Sequence, residues 1–311
     1  MLQFESYDAP STESIARQAG IAPSEVVRFD GNTSPTAPPY AREELLRDAL
    51  AEIHTYPHGG YPRLAPSIAE YAGVAPESVV LGAGADDVIC LVTRYFAGRG
   101  DRVAIANDPS YPLFRLAVWF AGAEIGDANP AFTICCRPNN PTGELGKLPG
   151  ARPLLVDEAY FEYSGVTATD LLDDGVVVIR SFSKAFGLAG ARVGYALASR
   201  DTALDLNRHQ TPAPISTLSA ALALRALESP PDVQPVLEER DRLAEELRRL
   251  GLEPWPSHAN FLYVPFSGAE DAGEALLRRG LPVRRLTGAI RITIRDRADD
   301  DLLVAALAQI V

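Results

Sequence analysis

Residues 78–106 read SVVLGAGADDVICLVTRYFAGRGDRVAIA. Ser78–Leu81 is a short apolar, β-branched run, and Gly82-Ala83-Gly84 is a turn. A helix opens at the acidic pair Asp86–Asp87 and stops at Gly98. RVAIA (102–106) is a second apolar strand. Neither strand alternates apolar with polar residues, so each is covered on both faces, as in parallel sheets. The rhythm continues downstream through the turn NDPSYP (107–112) and the helical run LFRLAVWFAG (113–122). FTICC (132–136), PLLVDE (153–158), VVVIRSF (176–182) and VGYALA (193–198) follow as further buried strands. Strands alternating with helices predict an α/β fold: a large domain with a mostly parallel sheet covered by helices.

The last third changes character. PVLEERDRLAEELRRLG (235–251) is an amphipathic helix with Val236, Leu243, Leu247 and Leu250 on one face and Gly251 as its stop. Glu238–Arg242 and Glu245–Arg249 are spaced for i,i+4 pairs on the solvated face. Strand-like NFLYV (260–264), a helix near 269–279 and strands around PVRR and IRITI complete a smaller α+β domain. The Pro-rich stretch HQTPAPIS (209–216) marks the division. We expect a large domain over 30–208 and a small domain from 1–29, including an N-terminal arm, with 209–311.

Among 311 residues, 29 Lys and Arg face 41 Asp and Glu, a net charge of −12. That field repels phosphate backbones, which argues against nucleic acid as a partner but not against a local basic pocket. Cys90, Cys135 and Cys136 lie in apolar runs without metal spacing and read as reduced thiols. The four histidines form no metal pattern. The N-terminal residues lack a basic-then-apolar leader, and no apolar run reaches the roughly 20 residues of a membrane span. A cytoplasmic protein with no metal and no membrane partner is expected.

Four clusters carry chemistry. In SFSKAFGLAGARVGY (181–195), Lys184 sits among small, apolar or hydroxylic residues on a turn directly after a buried strand. Desolvation and cationic neighbours there suit an amine for Schiff-base chemistry. Ser181, Ser183 and Arg192 form a donor set suited to a phosphate. Asp157 ends a buried strand in LLVDEAYFEY (154–163), where ligands meet open α/β sheets, although the position also suits a helix cap or surface turn. CCRPNNPTG (135–143) alone marks a turn. LGAGADD (81–87) offers backbone N–H groups and a helix dipole to an anion, as any glycine-rich strand–helix junction does.

In this order, GAGADD, SYP, NNPTG, DEAY, SFSKAFGLAGARVG and IRIT resemble the fold-type I, aspartate-aminotransferase-like enzymes that use pyridoxal phosphate, nearest the histidinol-phosphate aminotransferase group. FDGNTSP, HTYPHGGYPRL and HANF extend the resemblance over nearly the whole chain. It implies that Lys184 carries the cofactor and shuttles a proton, while Asp157 pairs with the pyridine nitrogen. Tyr160 and Asn140 would reach the ring hydroxyl, and Tyr111 would stack on the ring. Ala85 and Asp86, with Ser181, Ser183 and Arg192, would hold the phosphate. For that, Asp86 is expected to offer its backbone N–H and turn its carboxylate away. Tyr56 would reach the neighbouring subunit's cofactor, implying a homodimer with shared active sites. Arg291 would bind the substrate carboxylate, and Arg284, Asn32 and Tyr7 would line the substrate pocket, with Arg17 or Arg285 as further cations.

The activity implied is a ping-pong transamination between L-histidinol phosphate and 2-oxoglutarate, which would place the chain in histidine biosynthesis. An aromatic amino acid aminotransferase, a threonine-phosphate-type decarboxylase and a non-catalytic, cofactor-binding regulator are the alternatives. The chain departs from the pattern by being short. Only ELGKLPGARP (144–153) joins two presumed parallel strands, where a crossover normally needs a dozen or more residues with a helix. A loop or a single helical turn is expected over 144–152, leaving part of one sheet face less covered.

Overall fold

A computed structural model describes residues 10–57 and 60–311. In chain order the elements are α1 (Thr12–Ala19), α2 (Glu43–Ala51), α3 (Leu64–Ala72), β1 (Val79–Gly82), α4 (Ala85–Phe96), β2 (Arg102–Ile105), α5 (Leu113–Phe120), β3 (Glu124–Ile125), β4 (Phe132–Cys136) and β5 (Leu154–Asp157). They continue as α6 (Phe161–Ser164), β6 (Val176–Ser181), β7 (Gly194–Leu197), α7 (Arg200–His209), α8 (Thr217–Glu228), α9 (Gln234–Arg249), β8 (Phe261–Pro265), α10 (Ala269–Leu277), β9 (Arg284–Leu286), β10 (Ala289–Thr293) and α11 (Arg297–Leu307). None of the described helices is long and apolar enough to cross a membrane.

The described residues divide into two compact units, one of residues 36–57, 60–140 and 145–232, the other of 10–35, 141–144 and 233–311. The first holds a seven-stranded sheet in the order β1-β7-β6-β5-β4-β2-β3. All neighbours run parallel except β7, which is antiparallel to both β1 and β6. Strand alternation sorts the side chains into two cores. Cys135, Val156, Val178 and Leu197 meet Ile68 of α3 and Ala223 and Ala226 of α8. Cys136, Leu155, Ile179 and Ala196 meet α4, α5 and α7 through Val88, Phe114 and Leu206. Each fully buried leucine or valine of this kind contributes about 2 kcal/mol.

Because α7 and α8 both bury residues against the seven-stranded sheet, the division lies at 232/233 and not at 208/209. The HQTPAPIS stretch joins two helices of one unit. The break follows the second proline cluster, Pro230–Pro231. The N-terminal boundary moves from 29/30 to 35/36 for a similar reason. Beyond Phe29, the Asp30 carbonyl accepts from Arg291 Nη2, Asn32 donates its N–H to Thr293 Oγ1, and its carbonyl accepts from Asn260 Nδ2.

The second unit is built on the antiparallel sheet β8-β10-β9. Leu243 and Leu247 of α9 are buried against Leu262, Ile290 and Leu303, with Val236 and Leu250 at the margin, as the apolar stripe predicts. The expected i,i+4 pairs are replaced by i,i+3 pairs: Glu239–Arg242, Glu245–Arg248 and Glu246–Arg249. Both spacings are neighbours on a helix. Here Arg242 also reaches Asp301 of α11 at 2.8 Å, which favours Glu239 as its second carboxylate.

Residues 143–151 form no helix, in line with the short β4–β5 connection. The sheet beneath is nevertheless covered, since every residue of β4 and β5 is buried. Leu148 of the loop packs on the core there. Two arginines fix the loop's path. Arg137 Nε donates to the Leu145 carbonyl at 2.8 Å, and Arg152 Nη1 donates to Pro149 and Ala151 at 3.0 and 2.8 Å. The three cysteines are free thiols; Cys135 and Cys136 are buried and Cys90 is half-buried.

Candidate active site

The carboxyl ends of β5 and β6 and the amino end of α4 deliver most of the candidate residues, all within the first unit. Asp157 is the last residue of β5 and only 3% exposed. Burial pushes its carboxyl up to about 7. The Ala159 N–H, donated to Oδ1 at 3.0 Å, opposes this, as does Lys184, while Asp86 and Glu158 add to it. Cys136, its Cα partner on β4, places a thiol sulfur 3.9 Å from Oδ2. A buried carboxyl so short of positive neighbours suits a cationic ring N–H.

Lys184 lies on the turn after β6. Phe182 and Phe186 on either side are buried, and the Tyr40 hydroxyl donates to the Phe186 carbonyl. Gly187 donates to the Lys184 carbonyl and Leu188 to that of Phe182, closing the turn. The Lys184 Nζ stands 5.7 Å from the centroid of the Tyr160 ring. Tyr160, buried, begins the turn into α6, three residues after Asp157. Ser181 and Ser183 are buried too, and Ser181 Oγ accepts the Ser183 N–H at 3.0 Å.

Opposite, α4 starts at Gly84 with no side-chain cap, so the N–H groups of Ala85 and Asp86 open a first turn rich in donors. Two glycines make room for it. A Cβ on Gly194 would fall 2.3 Å from the Ala85 nitrogen, and one on Gly84, at φ +89°, 2.6 Å from Arg192 Nη2. Asp87 steadies the glycine turn by accepting from the Ala83 N–H at 3.0 Å and Gln210 Nε2 at 3.1 Å. The expectation that Asp86 turns its carboxylate away fails. It accepts from Arg192 Nη2 at 2.8 Å and from the Tyr111 hydroxyl at 3.1 Å, because the half-exposed guanidinium is the nearest cation to an acidic helix start. Asn140 is half-buried on the turn after β4. Its neighbour Asn139, not singled out in the sequence, clamps the Ser110–Tyr111 turn: Nδ2 donates to Pro109 and Oδ1 accepts from Ser110 Oγ. Tyr56 is 81% exposed. A buried carboxyl, a lysine turn, an uncapped helix start and two serines with an arginine are the groups by which a phosphorylated pyridine aldehyde could be held: a partner for the ring nitrogen, an amine for the aldehyde and N–H and O–H donors for the phosphate.

In the second unit, Arg291 occupies the middle of β10, 5% exposed, and its Nη2 donates to the Asp30 carbonyl at 2.7 Å. Arg284 of β9 is its direct cross-strand partner, so both side chains leave the same face. Asn32, at φ +51°, is held by Thr293, whose Oγ1 accepts its N–H at 2.9 Å, and its carbonyl accepts from Asn260 Nδ2 at 3.2 Å. A cavity of about 210 Å³ beside Arg284 is lined by Pro10, Asp30, Leu277 and Val283. Arg285 is already paired with Glu274 at 2.8 Å. Tyr7 and His58 lie outside the described residues.

Residues 125–307 match the family model of the class I and II aminotransferases. The histidinol-phosphate aminotransferase of Caldanaerobacter subterraneus subsp. tengcongensis is 32% identical over 91% of this chain and 93% of its own. Histidinol-phosphate aminotransferase 2 of Archaeoglobus fulgidus is 34% identical over 92% and 93%. The crystal structure of histidinol-phosphate aminotransferase from Sinorhizobium meliloti in complex with pyridoxal-5'-phosphate has a TM-score of 0.84 at 24% identity, covering 98% of this chain and 95% of that one. The alternative of a non-catalytic regulator gives way to these enzyme relatives. The chain belongs to the class I and II aminotransferases, the pyridoxal-phosphate-dependent transaminases of aspartate-aminotransferase-like fold.

Proposed function

We propose that the chain moves the amino group of L-histidinol phosphate to 2-oxoglutarate in two half reactions, in the cytoplasm. The observation that carries this reading is the pairing of Arg284 with Arg291 across β9 and β10. L-Histidinol phosphate bears its anion as a phosphate ester near the carbon that carries the amine. 2-Oxoglutarate bears a carboxylate directly on the reacting carbon. Two guanidinium groups on one face serve both, since each can grip a phosphate or a carboxylate through a fork of N–H donors. Relatives about a third identical that are histidinol-phosphate aminotransferases support the same reading.

Pyridoxal phosphate, when bound, supplies an electron sink for charge developing at the substrate α-carbon. In this reading Lys184 holds the cofactor and moves the proton to and from that carbon. Asp157 holds the proton on the ring nitrogen. Tyr160 and Asn140 orient the ring oxygen, and Tyr111 covers the ring face. The N–H groups of Ala85 and Asp86 bind the phosphate with Ser181, Ser183 and Arg192, once Arg192 is released from the Asp86 carboxylate. Tyr56 completes the partner's phosphate site, and Asn32 and Tyr7 line the substrate pocket with Arg284.

The test is a spectral titration of the purified, cofactor-loaded enzyme. L-Histidinol phosphate should bleach the visible band, and 2-oxoglutarate should restore it. Bleaching by L-phenylalanine alone would move the assignment to an aromatic aminotransferase. Carbon dioxide release from threonine phosphate without an oxo acid would move it to a decarboxylase.

A further inference from the structure

Asp157 and Lys184 arrive on two neighbouring strands, and something must hold the strand ends at a fixed separation. Parallel pairing aligns Asp157 with Ile179, and the last ladder bond of β5 runs from the Glu158 N–H to the Ile179 carbonyl at 2.8 Å. Beyond it the two chains diverge, β5 toward Tyr160 and β6 toward Ser181 and Lys184. At that point Glu158 and Arg180 project from the sheet face opposite Asp157, since strand neighbours alternate. They form an ion pair at 3.1 Å with side chains 1% and 2% exposed.

The pair is fully built. Glu158 Oε2 accepts from both Arg180 Nε (3.2 Å) and Nη2 (3.1 Å), and from Thr167 Oγ1 at 2.9 Å. Oε1 accepts the Ala168 N–H at 2.7 Å. Arg180 Nη2 also donates to Thr167 Oγ1 at 2.8 Å, and its guanidinium lies 3.5 Å from the centroid of the Phe161 ring. Phe161 directly follows Tyr160. The guanidinium therefore contacts the segment that carries Tyr160 while its own backbone adjoins Ser181.

We propose that Glu158 and Arg180 are positioning residues of the transamination: their buried ion pair, behind the sheet, fixes the spacing between the Asp157–Tyr160 segment and the Ser181–Lys184 turn. This rests on the assignment of Lys184 and Asp157 given above. Fixed spacing matters because catalytic groups displaced by about 1 Å can cost about 100-fold in rate.

The test uses the cofactor-loaded enzyme with three variants: Glu158→Gln, Arg180→Lys, and the double variant Glu158→Leu/Arg180→Met. The double variant removes both charges and leaves apolar side chains, a replacement that buried ion pairs often tolerate. Glu158→Gln keeps the side chain's size and one acceptor oxygen, enough for the Ala168 N–H, so a milder change remains for measurement if the double variant fails to fold. Measured are kcat and KM for the amino donor and the pH titration of the visible cofactor band. We expect kcat to fall about 10- to 100-fold with KM changed less than about threefold, and the band's pH midpoint to move. Arg180→Lys should lie between wild type and the double variant, because one ammonium keeps the charge but not the fork. Folded Glu158→Gln or double variant with wild-type kcat and an unmoved midpoint would overturn the proposal. Lys184→Ala separates the two claims: cofactor that still becomes covalently attached to that variant on borohydride reduction sinks the lysine assignment itself, whatever Glu158 and Arg180 do.

Discussion

Asp157 shows how one residue couples the site to stability. Its carboxyl rises from 3.8 to about 7 in the fold, chiefly through burial. A group raised in this way favours the folded state while protonated. Its contribution is complete below the unfolded value and is lost as pH climbs from about 4 to about 7. In cofactor-free protein, the melting temperature should therefore fall across that window, and Asp157→Asn should flatten part of the fall. The part removed is on the order of 2–4 kcal/mol. Asp300, fully buried in α11 and raised by burial and by Glu239, acts with the same sign, so its share persists in Asp157→Asn. An unchanged slope in the variant would refute the buried-charge account. Asp157 was legible in the sequence because the apolar run before it must be a buried strand, which carries the acid to the sheet edge where ligands bind. The Asp86 carboxylate was not. Its contact with Arg192 joins residues 106 apart and depends on how closely Gly84 and Gly194 let two elements approach. Glu158 and Arg180 were hidden for a related reason: pairing across strands follows from register, which no local motif states.

At the scale of elements, the alternation of apolar runs with helices was enough to assign the parallel sheet, and a ten-residue connection was enough to remove a helix between β4 and β5. What replaces that helix was not readable, because the partners are backbone carbonyls chosen by the loop's path. Arg137 supplies two of its contacts, to Leu145 at 2.8 Å and Gly146 at 3.2 Å. Its side chain leaves the chain one residue after Cys136, at the end of β4, so the loop is tied to the turn that carries Asn139 and Asn140. Arg137→Ala removes charge-assisted hydrogen bonds of about 1.5–3 kcal/mol in total to the loop. Amide exchange over 143–151 should quicken by about tenfold or more, while β4 and β5 stay protected, since loops open locally below the global stability. Exchange that is unaltered across the loop would show that Leu148 and Arg152 hold it unaided. The division into units was misread at this same scale. Two proline clusters compete in the sequence, and which one separates units depends on where α7 and α8 bury their alanines and leucines.

For the whole molecule, the open question is whether one chain makes a complete site. Leu50 in the last turn of α2, and Ile53 and Tyr56 shortly after it, are 43%, 56% and 81% exposed. Exposed apolar side chains along one short segment offer a partner chain something to cover. We propose that the partner is a second copy, arranged so that each Tyr56 serves the other chain's cofactor phosphate. A two-fold dimer makes that exchange reciprocal, and reciprocity can be tested by complementation. Lys184→Ala disables a chain's own site but leaves its Tyr56 for the partner. Tyr56→Ala keeps Lys184 but withholds the tyrosine from the partner. Each variant alone should be deficient, by very different amounts. In an equal mixture that has exchanged subunits, half of the dimers pair the two chains, and each of those holds one site with both residues intact. About a quarter of all sites should then recover the wild-type affinity for the cofactor. Recovery needs subunit exchange, so it should rise with incubation and vanish if the dimers are cross-linked before mixing. A mixture that never exceeds the average of its two components would place Tyr56 outside the shared site and leave each chain with a site of its own.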